Sequence, residues 1–224
     1  MNNLKKYNLL GHAEKLIRDV SVRVKNKENN RQKALKFDVE YFDGDRAEGY
    51  GGYVYDGRWK PIAVKLIDRY NLNSTSKFLD VGCAKGFLLY DLYNLYPGME
   101  VHGLDISNYA KNKADKLIRE RIKIGNCNKL PYPDNYFDAT VAINTIHNLD
   151  YNGCEIAIKE LCRVTKNKEN IFIQVDSYQN EEEKLFFEDW MLTAKTYLKP
   201  DEWKTLFNNC NYKGDYFWTI IKFE

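Results

Sequence analysis

The fold is decided by the stretch Lys77-Phe78-Leu79-Asp80-Val81-Gly82-Cys83-Ala84-Lys85-Gly86-Phe87-Leu88-Leu89. Its apolar first half is typical of a strand that is buried on both faces of a parallel sheet. Gly82 and Gly86 bracket a tight turn, where missing side chains permit unusual dihedral angles and close approach of the backbone to a ligand. A helical pattern begins at Phe87, and the unpaired N–H groups at that helix start would face whatever binds above the turn.

A second short strand, from Val101 to Asp105, ends in a carboxylate nineteen residues beyond Gly86. An acid at this position in a doubly wound sheet commonly holds the hydroxyls of a nucleotide-like ribose. The dinucleotide fingerprint Gly-x-Gly-x-x-Gly would need three glycines, but the sequence has Gly82, Ala84 and Phe87 at those positions. The spacing therefore disfavours a nicotinamide cofactor.

The pattern Asp-x-Gly-x-x-x-Gly, formed by Asp80, Gly82 and Gly86, resembles motif I of the class I S-adenosylmethionine-dependent methyltransferases. Members of that family usually carry a glycine where this sequence has Ala84. The resemblance implies a three-layer α/β/α Rossmann-like fold, with a mainly parallel sheet and an antiparallel edge strand. It also implies S-adenosyl-L-methionine as the methyl donor and S-adenosyl-L-homocysteine as the product.

The same resemblance implies which residues hold the cofactor. They are Asp80, Gly82, Cys83, Ala84, Lys85, Gly86, Asp105, Ile106, Asn126, Cys127 and Asn144. The loop from Gly82 to Gly86 would hold the methionine portion, whose carboxylate would meet backbone N–H groups at the helix start. Lys85 would either join them or be solvated. Asp80 would lie under the loop near the ammonium group, and Asp105 would take the ribose hydroxyls. Ile106 would pack on adenine, while Asn126 and Cys127 would read its edge; Asn144 would border the methyl group.

Composition narrows the class of protein. The formal net charge of +2 gives no strong attraction to nucleic acid or to an anionic membrane, so neither is expected as a partner. The sequence has no apolar run long enough to span a bilayer. Its five scattered cysteines lack metal-ligand or redox-motif spacing, which predicts reduced thiols in a cytoplasmic protein without a metal.

The N-terminal forty residues are predicted to lie outside the methyltransferase domain, which would occupy residues 41–224. Apolar positions from Leu9 to Val24 predict an amphipathic helix, either a lid over the active site or a helix packed on the domain edge or on a second subunit. The polar stretch from Asn26 to Lys33 predicts a mobile connector. A homodimer is left open.

The segment from Tyr41 to Trp59 has five glycines and six aromatic residues, which predicts a long irregular loop. Candidate substrate-binding residues in it are Tyr50, Tyr53, Arg58 and Trp59, whose rings could stack on a sugar or base. Arg58 and Arg46 could meet a phosphate or carboxylate. The alternative is an aromatic-rich hinge. Asp176 and Tyr178, at the tip of the fifth buried strand, are further candidates for the substrate rim, although Asp176 could equally cap the next helix.

The strings Phe-Asp-Gly-Asp-Arg, Gly-Tyr-Gly-Gly-Tyr and Tyr-Asp-Gly-Arg-Trp-Lys-Pro resemble a methyltransferase branch found among bacterial surface-polysaccharide and nucleotide-sugar genes. The acceptor would then be a hydroxyl or amine of a small molecule such as a sugar or nucleotide-linked precursor. Alternatives are a protein or RNA acceptor, or a protein that binds the cofactor without catalysis. His147, after the fourth strand, would either act as the base or shape the pocket.

Overall fold

Strands and helices alternate along most of the chain in the computed structural model, which describes residues 4–11 and 15–222. The strands are β1 (Lys5–Lys6), β2 (Lys15–Ile17), β3 (Lys77–Val81), β4 (Glu100–Asp105), β5 (Ile122–Ile124), β6 (Ala139–Ile143), β7 (Ile171–Ser177) and β8 (Asp215–Lys222). The helices are α1 (Ser21–Val24), α2 (Lys27–Ala34), α3 (Val39–Asp43), α4 (Lys60–Tyr70), α5 (Phe87–Leu95), α6 (Asn108–Lys113), α7 (Lys116–Arg119), α8 (Tyr151–Val164), α9 (Glu181–Trp190) and α10 (Pro200–Asn209).

The described strands form one sheet in the order β1-β8-β7-β6-β3-β4-β5, and β2 also pairs with β8. Helices cover both faces, so the central strands β3, β6 and β7 are almost wholly buried and apolar. One apolar layer joins the sheet to α8 and α10, and the other joins it to α4 and α5. The three-layer α/β/α architecture is the one predicted.

The predicted antiparallel edge strand is wrong. β8 pairs in parallel with β7, from Phe172 opposite Asp215 to Ser177 opposite Ile220. The chain reaches β8 through α9 and α10, and a helical crossover returns it in the direction of the preceding strand. The outer side of β8 is taken by β1 and β2, which also run parallel to it.

The predicted N-terminal helix is also wrong. The described part of this segment forms the short strands β1 and β2 and the single-turn helix α1. Between the strands Leu9 is fully buried against α4, where Lys65 Nζ donates to its carbonyl at 3.1 Å. Pairing with the exposed edge of β8 therefore overrides the helical spacing of the apolar residues. His12 lies outside the described residues, and the domain division after residue 40 stays a prediction.

The predicted connector forms the helix α2, because its Lys, Glu, Gln, Arg and Ala residues are good helix formers despite their polarity. Other local predictions are confirmed: β3 and α5 lie where the deciding stretch placed them, and Ser107 caps α6 by accepting from the Ala110 N–H. The sequence predicts one helix from the Ser107 cap to about Arg119, but that helix breaks near Ala114, and Asp115 caps its second part, α7.

Among the described residues, no helix is both long and apolar enough to cross a membrane.

Candidate functional site

The turn after β3 has the backbone conformation that its glycines require. Gly82 and Gly86 have φ of 79° and 70°, and Ala84 between them is also left-handed with a φ of 50°. An L-residue in this region is disfavoured, but the Ala84 N–H donates to Asp105 Oδ2 at 2.7 Å, which holds the conformation. The substitution of alanine for the family's usual glycine is thus accommodated by a bond to the neighbouring strand tip.

Gly82 brings the turn against the segment that follows β6. A Cβ built on Gly82 would lie 1.9 Å from Thr145 Oγ1 and 2.7 Å from Thr145 Cβ. Only glycine fits here, both for its dihedral angle and for the space available.

Asp105, at the end of β4, is a buried acceptor at the floor of a cavity. Its Oδ2 accepts from Ala84 N–H and its Oδ1 accepts from Ser107 N–H at 2.8 Å. The Ile106 N–H also donates to the carboxylate, whose two oxygens still keep lone-pair capacity for a ligand hydroxyl. Burial raises the pKa of Asp105, and the backbone donors of Ser107, Ala84 and Ile106 oppose that shift. The geometry suits a ribose diol.

Asp80 adds a second buried carboxyl beneath the turn. Burial, followed by the neighbouring Asp105 carboxylate, raises the pKa of Asp80 to about 8. Two acids that repel each other in a buried site favour a cationic ligand, because a nearby positive charge stabilises both ionised forms. S-adenosylmethionine carries such charge on its sulfonium and amino groups, so the donor set fits that cofactor.

A cavity of about 310 Å³ opens above the ends of β3, β4 and β6. Seven of the predicted cofactor residues line it, namely Gly82, Ala84, Asp105, Ile106, Asn126, Cys127 and Asn144. Ile106 is 54% exposed, an apolar surface at the cavity wall that a flat ring could cover. Asn126 Oδ1 already accepts from the Asn128 N–H at 3.1 Å and retains one lone pair.

Three other predicted cofactor residues point elsewhere. Cys83 is packed in the apolar layer beside α5, and the Cα of Gly86 faces Ile118 rather than the cavity. Lys85 is buried, and its Nζ donates to both carboxylate oxygens of Asp43 at 2.6 and 2.7 Å. It donates also to the Tyr53 carbonyl at 2.7 Å. In this structure Lys85 ties down the aromatic loop instead of reaching into the cofactor cavity.

The aromatic cover of the cavity was missed by the sequence analysis. Phe37, Tyr41 and Phe42 line it, carried by α3 and the residues before it. Asp38 caps α3 through the Val39 N–H at 2.8 Å, and Ser107 Oγ donates to the Phe37 carbonyl at 2.5 Å. The Asp-Val-Glu-Tyr-Phe string was the available signal, since an N-cap residue before apolar positions indicates a helix start.

A second cavity of about 460 Å³ adjoins the first. Tyr41, Tyr50 and Asn144 line both cavities, and so form the boundary between them. Of the predicted substrate residues, Tyr50, Tyr53 and Arg58 line the second cavity. Two do not: Trp59 packs on the apolar layer of α4, and Tyr178 is buried with its ring 6.3 Å from that of Tyr197.

His147 lines the second cavity beside Asp176. Its Nδ1 accepts from the Asp176 backbone N–H at 3.1 Å, and its Nε2 lies 3.7 Å from Asp176 Oδ2. Burial lowers the pKa of His147, opposed by the Asp176 carboxylate, so the ring is neutral at neutral pH. With Nδ1 accepting, the proton of the neutral ring lies on Nε2. His147 then has no lone pair for a substrate proton, which favours the pocket-shaping alternative.

Asp176 is the better-placed acceptor of a proton. It follows Val175 near the end of β7, and its side chain is 18% exposed towards the second cavity. Burial raises the pKa of Asp176, which His147 and Arg18 oppose. A carboxylate with a raised pKa is a competent general base near neutral pH. Sequence analysis had placed Asp176 only at the substrate rim or as a helix cap, but Asn180 caps α9.

Comparison with known proteins gives the family of this site. Residues 79–173, from β3 to β7, match the profile of a family described as a methyltransferase domain. Residues 79–173 are thus similar to a methyltransferase domain. Its cofactor is S-adenosylmethionine, and the matched residues contain the turn, Asp105 and the strand ends that form the cofactor cavity.

Two proteins that are similar to this chain carry different names. The chain is 34% identical over 135 residues to an uncharacterised methyltransferase of Schizosaccharomyces pombe, covering 54% of this chain and 48% of that protein. It is 32% identical over 140 residues to a tRNA (carboxymethyluridine(34)-5-O)-methyltransferase of Arabidopsis thaliana, covering 62% of this chain and 32% of that protein. The chain thus spans about half the first relative's length and a third of the second's.

The YcgJ protein of Bacillus subtilis has a similar fold, with a TM-score of 0.55 and 18% identity over 66% of each chain.

Proposed function

We propose that this chain transfers a methyl group from S-adenosylmethionine to a small acceptor molecule held in the second cavity. The observation that carries the proposal is the shared wall of Tyr41, Tyr50 and Asn144 between the two cavities. A donor on one side of that wall and an acceptor on the other would meet at the carboxyl edge of β6. Ligands of doubly wound sheets bind at this edge.

The residues of the first cavity would hold the cofactor. Asp105 would bind the ribose hydroxyls, Ile106 would pack on the adenine, and Asn126 would accept from its amino group. Asp80 would stabilise positive charge beneath the turn. The bound cofactor supplies an electrophilic methyl group on sulfur. Tyr41 and Tyr50 would align the acceptor and exclude water, and alignment accounts for much of the rate enhancement in such transfers.

Asp176 would accept the acceptor's proton at a carboxylate oxygen, with His147 as the residue that positions it. The His147 ring accepts the Asp176 N–H and so fixes the backbone from which the carboxylate projects. A hydroxyl acceptor needs this base, whereas a neutral amine can attack with little help. The dependence of rate on Asp176 therefore discriminates between the two acceptor types.

The acceptor we favour is a sugar or nucleotide-linked precursor of a bacterial surface polysaccharide, on the strength of the loop strings between Tyr41 and Pro61. An RNA acceptor is the second candidate, because one relative is named a tRNA methyltransferase. A cytoplasmic location stays a prediction, supported by the five free cysteines.

The test is a product screen by mass spectrometry, in which purified protein and S-adenosylmethionine are incubated with nucleotide sugars, capsule precursors and tRNA. We expect one methyl group on a small-molecule member; methylation of tRNA alone would contradict the acceptor class. With a hydroxyl substrate found, Asp176→Asn should lower kcat about a hundredfold or more. His147→Asn should retain most of the unsubstituted kcat, because the Asn Oδ1 can still accept the hydrogen bond from the Asp176 N–H. Equal loss in both variants would contradict the assignment of Asp176 as the base.

A further inference from the structure

Three arginines surround one tryptophan at the wall of the second cavity. The guanidinium carbons of Arg23, Arg46 and Arg18 lie 3.7, 5.1 and 5.6 Å from the centre of the Trp190 ring. Trp190 ends α9, Arg18 and Arg23 belong to the N-terminal segment, and Arg46 belongs to the aromatic loop. We call these four residues the arginine cluster.

Two members of the cluster, Arg23 and Arg46, carry positive charge that no described carboxylate pairs with. Arg23 is only 6% exposed, and its hydrogen bonds go to the carbonyls of Arg46, Trp190 and Gly49 at 3.3, 2.9 and 2.7 Å. Within residues 4–11 and 15–222, neither Arg23 nor Arg46 is ion-paired with a carboxylate. Burial and then the nearby Arg46 lower the pKa of Arg23 to about 10. Buried cations without counter-ions are destabilising unless a ligand supplies the opposite charge.

Arg46 is the member able to reach a ligand. Its described hydrogen bonds both begin at Nη1, which donates to the carbonyls of Gly49 at 3.0 Å and Tyr50 at 3.1 Å. Nη2 and Nε therefore keep donors for a ligand. A guanidinium fork matches two oxygens of a carboxylate or a phosphate.

The position of the cluster indicates how a ligand would be oriented in the second cavity. Arg18, Arg23, Arg46 and Trp190 line the second cavity and do not line the cofactor cavity, whereas Asn144 and Tyr50 line both. Asp176 is the acid among the described lining residues, and it lies with His147. A molecule in this cavity would thus contact the proton acceptor Asp176 at one place and the positively charged arginine cluster at another.

We propose that the arginine cluster is the binding site for an anionic group, a carboxylate or a phosphate, on the molecule that occupies the second cavity. The inference rests on the proposed function for the identity of that molecule as the methyl acceptor. The acceptor is then an acidic small molecule, whose anion anchors at Arg46 while its nucleophile points to Asn144 and Asp176. The N-terminal segment contributes Arg18 and Arg23 to the acceptor site.

The test is calorimetric titration of the protein saturated with S-adenosylhomocysteine, using inorganic phosphate and malonate as separate probes. We expect at least one anion to bind, and the one that binds better identifies the source as phosphate or carboxylate. Arg46→Gln should weaken that binding about tenfold or more, since charge-assisted hydrogen bonds are lost. Arg46→Lys should be intermediate, because it keeps the charge without the fork. Arg121→Gln, on a distant helix-to-strand turn, is the matched control and should change nothing.

Arg46 also holds the loop backbone, so its variants need a check. The affinity of Arg46→Gln for S-adenosylhomocysteine and its Tm should stay at the unsubstituted values, and Arg18→Gln provides a second variant of the cluster if they do not. Absence of binding by both anions at millimolar concentration, or binding that neither arginine substitution weakens, overturns the inference. If the anion binds as expected and no methylated product forms with any acceptor, the proposed function fails while the anion site stands.

Discussion

Adding a methyl group at Gly82 should strongly destabilise the folded protein. Gly82→Ala places an L-residue at a φ of 79°, which costs about 1–2 kcal/mol. The new Cβ would also lie 1.9, 2.5 and 2.7 Å from three atoms of Thr145. Because Thr145 Cβ itself is among them, a change of rotamer cannot relieve the overlap, and the turn or the Thr145 segment must shift. Overpacking of this kind costs about 1–3 kcal/mol.

The free energy of unfolding should therefore fall by about 2–5 kcal/mol in Gly82→Ala. A chain of this size loses about 2–4 °C in Tm for each kcal/mol, so the expected fall in Tm is roughly 4–20 °C. Since the shift would occur at the wall of the cofactor cavity, the affinity for S-adenosylhomocysteine should drop as well. Urea denaturation followed by circular dichroism, and calorimetric titration, measure the two effects.

Gly57→Ala is the matched control, because Gly57 has the same φ of 79° and nothing within 4 Å of a Cβ. It should show the backbone cost alone and leave cofactor affinity unchanged. The double variant Gly82→Ala with Thr145→Gly should recover the overlap part of the loss relative to Thr145→Gly alone. Equal destabilisation by Gly82→Ala and Gly57→Ala would refute the close packing of the turn on Thr145.

Two further predictions concern buried charges. The pKa of Asp80 in the folded protein, about 8, exceeds its unfolded value of 3.8, so the folded state keeps a proton that the unfolded state releases. Stability should thus fall as pH rises from about 4 to 8 and level off above, by up to about 6 kcal/mol. Asp80→Asn should flatten this slope in a urea denaturation series, and an unchanged slope would contradict the shift. Asp43→Asn leaves the Lys85 ammonium buried without its carboxylate, at a cost of about 3–5 kcal/mol. The double variant with Lys85→Met should be less destabilised than Asp43→Asn alone, and additive losses would contradict the ion pair.

The cofactor half of the molecule was predictable because its determinants are local. β3, the glycine turn and α5 lie within one short stretch, and Asp105 ends the next strand along the chain. Each of these elements is specified by its own apolar pattern and turn residues, so residues that meet at the strand ends could be placed from the sequence.

The features that the sequence analysis did not predict involve contacts between distant parts of the chain. β1 and β2 form because the edge of β8, some two hundred residues away, offers unpaired backbone groups. No pattern in the N-terminal segment indicates that β8 is its partner. Lys85 turns to Asp43, 42 residues earlier, instead of facing a cofactor. The tautomer of His147 is set by the N–H of Asp176, 29 residues later. The arginine cluster likewise draws on three separate parts of the chain, namely the N-terminal segment, the aromatic loop and α9.

The most direct measurement of the central claim is a crystal structure of the protein with bound S-adenosylhomocysteine. The account predicts density for the product in the cavity above β3, β4 and β6, with both ribose hydroxyls donating to the Asp105 carboxylate and the adenine against Ile106. Density at another place on the protein, or a ribose that does not contact Asp105, would contradict it.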